Sequence, residues 1–218
     1  MNGELWHKRK IADLALGYVG GVNALKAFGA DKSMTEEEMV QTVDLWREAS
    51  PRICALWRSL EQAAIRSVVR KSPAISSTGG ILFAYEEPVL WMQLPSGRRI
   101  AYWGARYEPS SKGFGKSLSY MGVNQTTKKW ERIETWGGKL VENCVQATAR
   151  DCLKESMLAL SGAGFDIRAH VHDEVIITEP VGGRSVDEVC SIMSKPLTWA
   201  EGLPLNADGY ETPYYKKD

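Results

Sequence analysis

Two adjacent carboxylates, Asp173 and Glu174, follow His172 in His170-Val-His-Asp-Glu-Val-Ile-Ile177, between two runs rich in β-branched residues. Such runs predict a hairpin, yet their junction lacks the Asn-Gly or Asp-Gly that a tight turn prefers. Something other than turn chemistry selects these residues. A hairpin tip projects its side chains away from the sheet, so Asp173 and Glu174 could offer oxygens to a hard divalent cation such as Mg2+. A solvated polar turn is the competing reading, because short motifs often match by chance.

A second set is Lys10-x3-Leu14-x3-Tyr18. Four-residue steps on a helix advance only about 40° each, so an ammonium, an apolar side chain and an aromatic ring line one face. That face could hold a triphosphate at one end and a base at the other; an amphipathic helix with an exposed basic first turn, Lys8-Arg9-Lys10, is the plainer reading. A third set, Lys139, Asn143, Gln146 and Arg150, forms a narrow stripe on a predicted helix, with Val141, Val145, Ala149 and Cys152 on another. Long donors and amides beside an apolar face suit phosphates and minor-groove acceptors, although a solvated face looks the same.

Charge is balanced overall, 27 basic against 27 acidic residues, but not locally. Between residues 95 and 130 lie Arg98, Arg99, Arg106, Lys112, Lys116, Lys128 and Lys129 against Glu108 alone, interleaved with Tyr102, Trp103, Tyr107, Phe114, Tyr120 and Trp130. Basic residues mixed with aromatic ones suit a nucleic-acid backbone and its bases; a basic loop with its aromatics turned inward is the alternative.

The elements needed to position these residues can be read from periodicity. Helices are expected over about Leu5–Tyr18, Val22–Phe28, Ser33-Met-Thr-Glu36 (as a capping box) through Arg47, and Pro51 to about Val69 with Ile53, Leu56, Trp57 and Leu60 inward. Strands follow over Ile81–Tyr85, Val89–Leu94 and Arg99–Trp103, with a turn at Pro95-Ser-Gly97. A Ser-, Gly-, Asn- and Thr-rich stretch over 109–128 then leads to a helix over about Gly138–Leu160, strands over Phe165–Val171 and Val175–Thr178, and a last helix near Val186–Met193. The expected class is α+β: a helical part over 1–73, then antiparallel strands and helices over 74–218.

A chain of 218 residues, 44% hydrophobic and 25% charged, buries a substantial core and is neither disordered nor fibrous. The four cysteines form no C-x-x-C pair, so neither a zinc knuckle nor a disulfide framework is indicated, and a reducing cytoplasm is the expected compartment. The polar start, Met1 to Lys10, is unlike a signal peptide, and no apolar run is long enough for a membrane span.

Taken in order, Lys10-x3-Leu-x2-Gly-Tyr18-Val-Gly-Gly21, Gly137-Gly-Lys-Leu-Val-Glu-Asn143-x2-Gln146-Ala-x-Ala-Arg-Asp151 and Val171-His-Asp-Glu174 resemble the C-terminal half of a family A DNA polymerase, most closely the phage replicative branch. The resemblance covers about residues 4–180. It implies a helical fingers subdomain over 1–73 and a palm subdomain over 74–218. By resemblance, Lys10 would contact the phosphates of an incoming deoxynucleoside triphosphate, Leu14 would pack beside it, and Tyr18 would lie by the nascent pair. Gln146 and Asn143 would touch the primer-template, His172 would lie near the primer terminus, and Asp173 would be one of two metal-binding aspartates. Many family members carry an arginine where this chain has Trp6; His7, Lys8 or Arg9 could substitute.

The family's other metal-binding aspartate, in an Asp-x-Ser-x-x-Glu motif after an apolar strand, is expected before Lys10. The one match here, Asp31-Lys-Ser-Met-Thr-Glu36, lies after it, follows no apolar strand and already reads as a helix cap. Two-metal nucleotidyl transfer needs carboxylates from two segments to clamp ions about 3.5 to 4 Å apart. The expectation is therefore a polymerase subunit with two Mg2+ ions, one only partly held by this chain. A second chain would carry the thumb and the missing palm motif, and would cover open strand edges here. A catalytically inactive primer-template-binding module is the alternative. No proofreading exonuclease motif is present in these residues.

Overall fold

The computed structural model describes the backbone of residues 3–111, 113 and 115–216, with side chains from Lys10 onward. It confirms the α+β class: six α-helices, a six-stranded antiparallel sheet and a separate two-stranded one. The chain divides into two compact units, Met1–Cys144 and Val145–Asp218.

The first unit begins with α1 (Gly3–Leu16), α2 (Val22–Ala27), a 3-10 turn at Ala30–Lys32, and α3 (Glu36–Ala49). Ala15 and Leu16 of α1 pack with Leu25, Ala30, Met39 and Val43 in one buried cluster. The cap of α3 is shifted from its expected place: Thr35 accepts from the Glu38 amide at 3.2 Å and the Glu38 carboxylate accepts from the Thr35 amide at 2.7 Å. Both Ser33-x-x-Glu36 and Thr35-x-x-Glu38 fit the cap pattern, and the second is the one formed.

Helix α4 (Pro51–Arg70) has proline at its first position, where no amide is needed. Its inward face is Cys54, Trp57, Leu60, Ala63, Ala64 and Ser67, while Ile53, expected inward, is exposed. The small residues let the helix approach the sheet closely enough for the Ser67 hydroxyl to donate to the Phe83 carbonyl at 3.3 Å.

The sheet is a meander, β1 (Ala74–Ile75), β2 (Leu82–Glu86), β3 (Val89–Gln93), β4 (Arg99–Pro109), β5 (Lys116–Val123) and β6 (Trp130–Thr135), paired in sequence order. The 109–128 stretch, read as a polar connection, thus contains a full strand, and β4 runs six residues beyond Trp103. One face carries Phe83, Leu90, Met92, Tyr102 and Leu118, all buried.

Helix α5 (Gly137–Gly162) begins in the first unit and continues in the second. Its large buried hydrophobic positions are Leu140, Val141, Cys144, Leu153 and Leu160; Val145 and Ala149, expected on the apolar stripe, are exposed. In the second unit follow β7 (Asp166–Val171), β8 (Glu174–Thr178) and α6 (Val186–Met193), which is capped by the Ser185 hydroxyl. Arg184 closes the end of α5. Its guanidinium donates to the carbonyls of Ala163 at 2.7 Å and Gly164 at 2.8 Å, pairs with Glu179 at 2.5 Å, and lies 3.6 Å over the Phe165 ring. The Ala163 carbonyl, at the helix end, is of the kind a helix leaves without a partner, and Gly164 follows it in the left-handed conformation. Arg184→Ala is expected to destabilise the second unit by about 2 kcal/mol, read as a lower midpoint of urea unfolding.

Candidate functional site

In α1 the residues that could bind a nucleotide lie on the side opposite the core. Ala15 and Leu16 are buried and Ile11 is half-buried, whereas Lys10 is exposed and Leu14 is 50% exposed. Ile11 and Ala15 thus lie toward the core and Leu14 away from it. The side chain of Arg9 lies outside the described residues, as do those of Trp6, His7 and Lys8.

Tyr18 does not belong to the helix, which ends at Leu16. It stands on the Gly17–Gly21 link, which is fastened from two sides. The Trp57 indole donates to the Gly17 carbonyl at 2.8 Å and Arg47 donates to the Gly20 carbonyl at 3.1 Å. Trp46, stacked on Trp57 with ring centres 6.1 Å apart, donates to the Asp13 carboxylate at 2.8 Å. Val19 has φ of 69°, a left-handed conformation that is an outlier for a β-branched residue.

Against this link sits the first turn of α5. A Cβ on Gly138 would fall 2.4 Å from the Tyr18 carbonyl oxygen, and one on Gly137 would fall 2.1 Å from that of Trp57. The Gly137-Gly138 pair is thus the condition for this approach. Burial, and then the nearby Glu142 carboxylate, push the Tyr18 phenol above its ordinary pKa, so it stays a neutral donor through the physiological range. Lys139 pairs with Glu142 at 2.9 Å, and Asn143 donates its amide to the Tyr102 phenol at 3.0 Å. One group of expected site residues, Tyr18, Lys139 and Asn143, is gathered here; of the residues that support it, Glu142 is not distinguished by sequence, whereas Tyr102 is expected in the basic-aromatic stretch and Trp57 on the inner face of its helix.

Arg98 and Arg99 are exposed at the β3–β4 turn, and Arg99 lies 4.4 Å over the Trp91 ring while pairing with Glu86 at 2.9 Å. Lys128 and Lys129 are exposed in the β5–β6 loop, which is shaped by the Asn124 side chain accepting from the amides of Thr126 and Thr127.

In the second unit, Gln146 and Arg150 are exposed, and a guanidinium nitrogen of Arg150 lies 3.4 Å from Nε2 of His170. Strands β7 and β8 pair from Asp166↔Thr178 to Val171↔Glu174, leaving His172-Asp173 as a two-residue turn. His172, Asp173 and Glu174 are all exposed. His172 has φ of 53°, at a turn position where glycine is preferred. A non-glycine residue costs about 1 kcal/mol there. His172→Gly is expected to strengthen the hairpin by about 0.5–1 kcal/mol, seen as slower amide exchange in β7 and β8. The imidazole is thus kept against the preference of the backbone.

Asp173 and Glu174 present hard oxygen donors that suit a divalent cation such as Mg2+. Among the described residues no group of three or more His, Cys, Asp and Glu side chains gathers into a metal site. Among those residues too, no helix is long and apolar enough to cross a membrane.

No protein-family model matches the chain, and no solved structure matches it. It is 46% identical over 216 residues, 98% of its length, to a protein described as a DNA polymerase from Bacillus phage SP02, and it spans 33% of that protein. The chain is therefore a relative, over nearly all of its own length, of one third of a phage DNA polymerase.

Proposed function

We propose that the chain is part of a family A DNA polymerase that adds deoxynucleotides to a primer end. The observation that carries this reading is the 46% identity to a phage DNA polymerase across a stretch containing all three motifs. In this reading residues 1–73 act as fingers and 74–218 as palm. Lys10, on the exposed side of α1 with Arg9 beside it in sequence, meets the triphosphate, Leu14 packs against the nucleotide, and the fastened Tyr18 lies by the new pair. Lys139, Asn143, Gln146 and Arg150, with Arg98, Arg99, Lys128 and Lys129, contact the primer-template. His172 stands near the primer terminus, while Asp173, with Glu174 beside it, supplies one side of the metal clamp. Two Mg2+ ions would stabilise the attacking and leaving oxygens. The remaining carboxylate comes from a second chain, which would also cover the outer edges of β7 and β8; among the described residues these two form a two-stranded sheet of their own.

Mg2+-dependent primer extension tests this, using the chain alone and mixed with a polypeptide covering the two thirds of the phage polymerase outside the match. Extension only in the mixture is the expected result. Extension by the chain alone would overturn the need for a second chain. Silence in both, with primer-template binding retained, would identify an inactive DNA-binding module.

A further inference from the structure

The face of the six-stranded sheet opposite Phe83, Leu90 and Met92 carries an unusual set of side chains. The register places Val89 opposite Trp103, Trp103 opposite Met121, and Met121 opposite Arg132, all on that face. Trp91, two residues from Val89, and Trp130, two residues from Arg132, share it. Trp103 is 52% and Trp130 61% exposed. They lie two strands apart, roughly 10 Å across the sheet at ordinary strand spacing. Unlike Tyr102, which is buried on the other face, these indoles have no hydrophobic role in the core.

Arginines stand among them. Arg99 already lies 4.4 Å over the Trp91 ring. Beyond the irregularity between Trp103 and Arg106, Arg106 opposes Ser119 and so returns to the same face. Arg132 donates to the Gly104 carbonyl at 3.0 Å and to the Ser119 hydroxyl at 3.1 Å, which fixes its guanidinium in place. The exposed Arg98 and the Lys128-Lys129 pair flank the face in the turns. Flat rings interleaved with cations match one ligand chemistry, bases that stack and phosphates that are neutralised. A B-form duplex does not expose its base faces, whereas a single strand does.

We propose that this face binds single-stranded DNA, with Trp103 and Trp130 as stacking platforms and Arg99, Arg106 and Arg132 meeting phosphates. The choice of DNA rests on the polymerase reading above, where an unpaired template strand is the available partner. Glu108 is the natural brake on the site. Its carboxylate lies 3.9 Å from Arg106 and 3.8 Å from Arg132, so it competes with phosphate for both.

The test is fluorescence anisotropy of a short fluorescein-labelled oligothymidylate titrated with the full chain. Trp103→Ala and Trp130→Ala should each weaken binding about tenfold, with thermal unfolding nearly unchanged because both rings are exposed; Trp130→Phe should restore most of it. Glu108→Gln should tighten binding a few-fold, which a purely structural role for the face would not produce. Unchanged affinity in both alanine variants would overturn the proposal, as would altered self-association in those variants without loss of affinity, which would give the face to a protein partner. Primer extension in the two-polypeptide mixture, run in parallel, separates the two failures. Retained extension with indifferent oligothymidylate binding defeats only this inference; no extension with Trp-dependent binding defeats only the polymerase reading.

Discussion

Asp173→Ala is expected to reduce Mg2+-dependent primer extension in the two-polypeptide mixture by about a thousandfold or more while leaving the fold intact. The size follows from the proposed role. A carboxylate that holds a cation against the reacting phosphate supplies several kcal/mol of charge stabilisation, and each 1.36 kcal/mol is about tenfold in rate. The fold should not notice, because Asp173 is exposed at a turn whose register is set by the β7–β8 pairs on either side. Glu174, paired with Val171 at the end of the ladder, is a useful contrast. Glu174→Gln keeps the shape and one acceptor, and should cost no more than about tenfold if the neighbouring aspartate bears the ion. Equal losses in the two variants would mean that the carboxylates act as a pair. Normal extension by Asp173→Ala, with binding of the primer-template unchanged, would remove Asp173 from the metal site.

The elements that sequence revealed best are those with one dominant period and a clear stop. Helix α6 covers the expected Val186–Met193, with Ser185 as its cap, and α4 extends only one residue past the expected end. Strand β5 was hidden because its residues, Lys116-Ser-Leu-Ser-Tyr-Met-Gly-Val123, carry serine and glycine at positions that in this sheet are covered by neighbours. Ser119 is buried on the outer face because Arg132 lies across it, and Gly122 is covered by Tyr120 and Ile133. No local composition rule sees a serine buried by a side chain from the next strand. The same limit applies to the site. The Lys10–Leu14 stripe and the His172-Asp173 turn could be read from spacing. Burial of Ala15 and Leu16, which shows that Leu14 is not a core residue, depends on α2 and α3 arriving from elsewhere. The spacing predicts a helix through Tyr18, because that residue continues the stripe. In the structure the two glycines around it and the hydrogen bonds from Trp57 and Arg47 hold it on a link, which only tertiary partners could determine.

Gly137→Ala is expected to be strongly destabilising, because the added methyl meets the backbone of a neighbouring helix. The new Cβ would lie 2.1 Å from the Trp57 carbonyl oxygen, 2.7 Å from its carbon and 3.2 Å from its Cα, all backbone atoms of α4. A flexible side chain could rotate out of such a clash; two helices in contact can only move apart. Separation would strain the Trp57 indole bond to Gly17 and, through Gly138, loosen the contact with Tyr18 and Val19. The expected cost is about 3 kcal/mol or more, at the upper end of overpacking effects, or roughly 6–12 °C in melting temperature for a chain of this size. Gly162, at the other end of the same helix, supplies the control. Nothing lies within 4 Å of a Cβ there, so Gly162→Ala should be neutral or stabilising by up to about 1 kcal/mol through helix propensity alone. Opposite signs from the same substitution at the two ends of α5 would show that Gly137 serves close approach rather than flexibility. The functional consequence follows from where that approach occurs. If α5 cannot seat against the Tyr18 link, the Tyr18 phenol loses the neighbourhood of Glu142 that, after burial, raises its pKa. A milder variant, Gly138→Ala, meeting the Tyr18 carbonyl at 2.4 Å, should therefore lower the Tyr18 titration toward the ordinary tyrosine range. Ultraviolet titration against a Tyr18→Phe reference measures this, and an unmoved Tyr18 would mean that the link, not the helix, gives way.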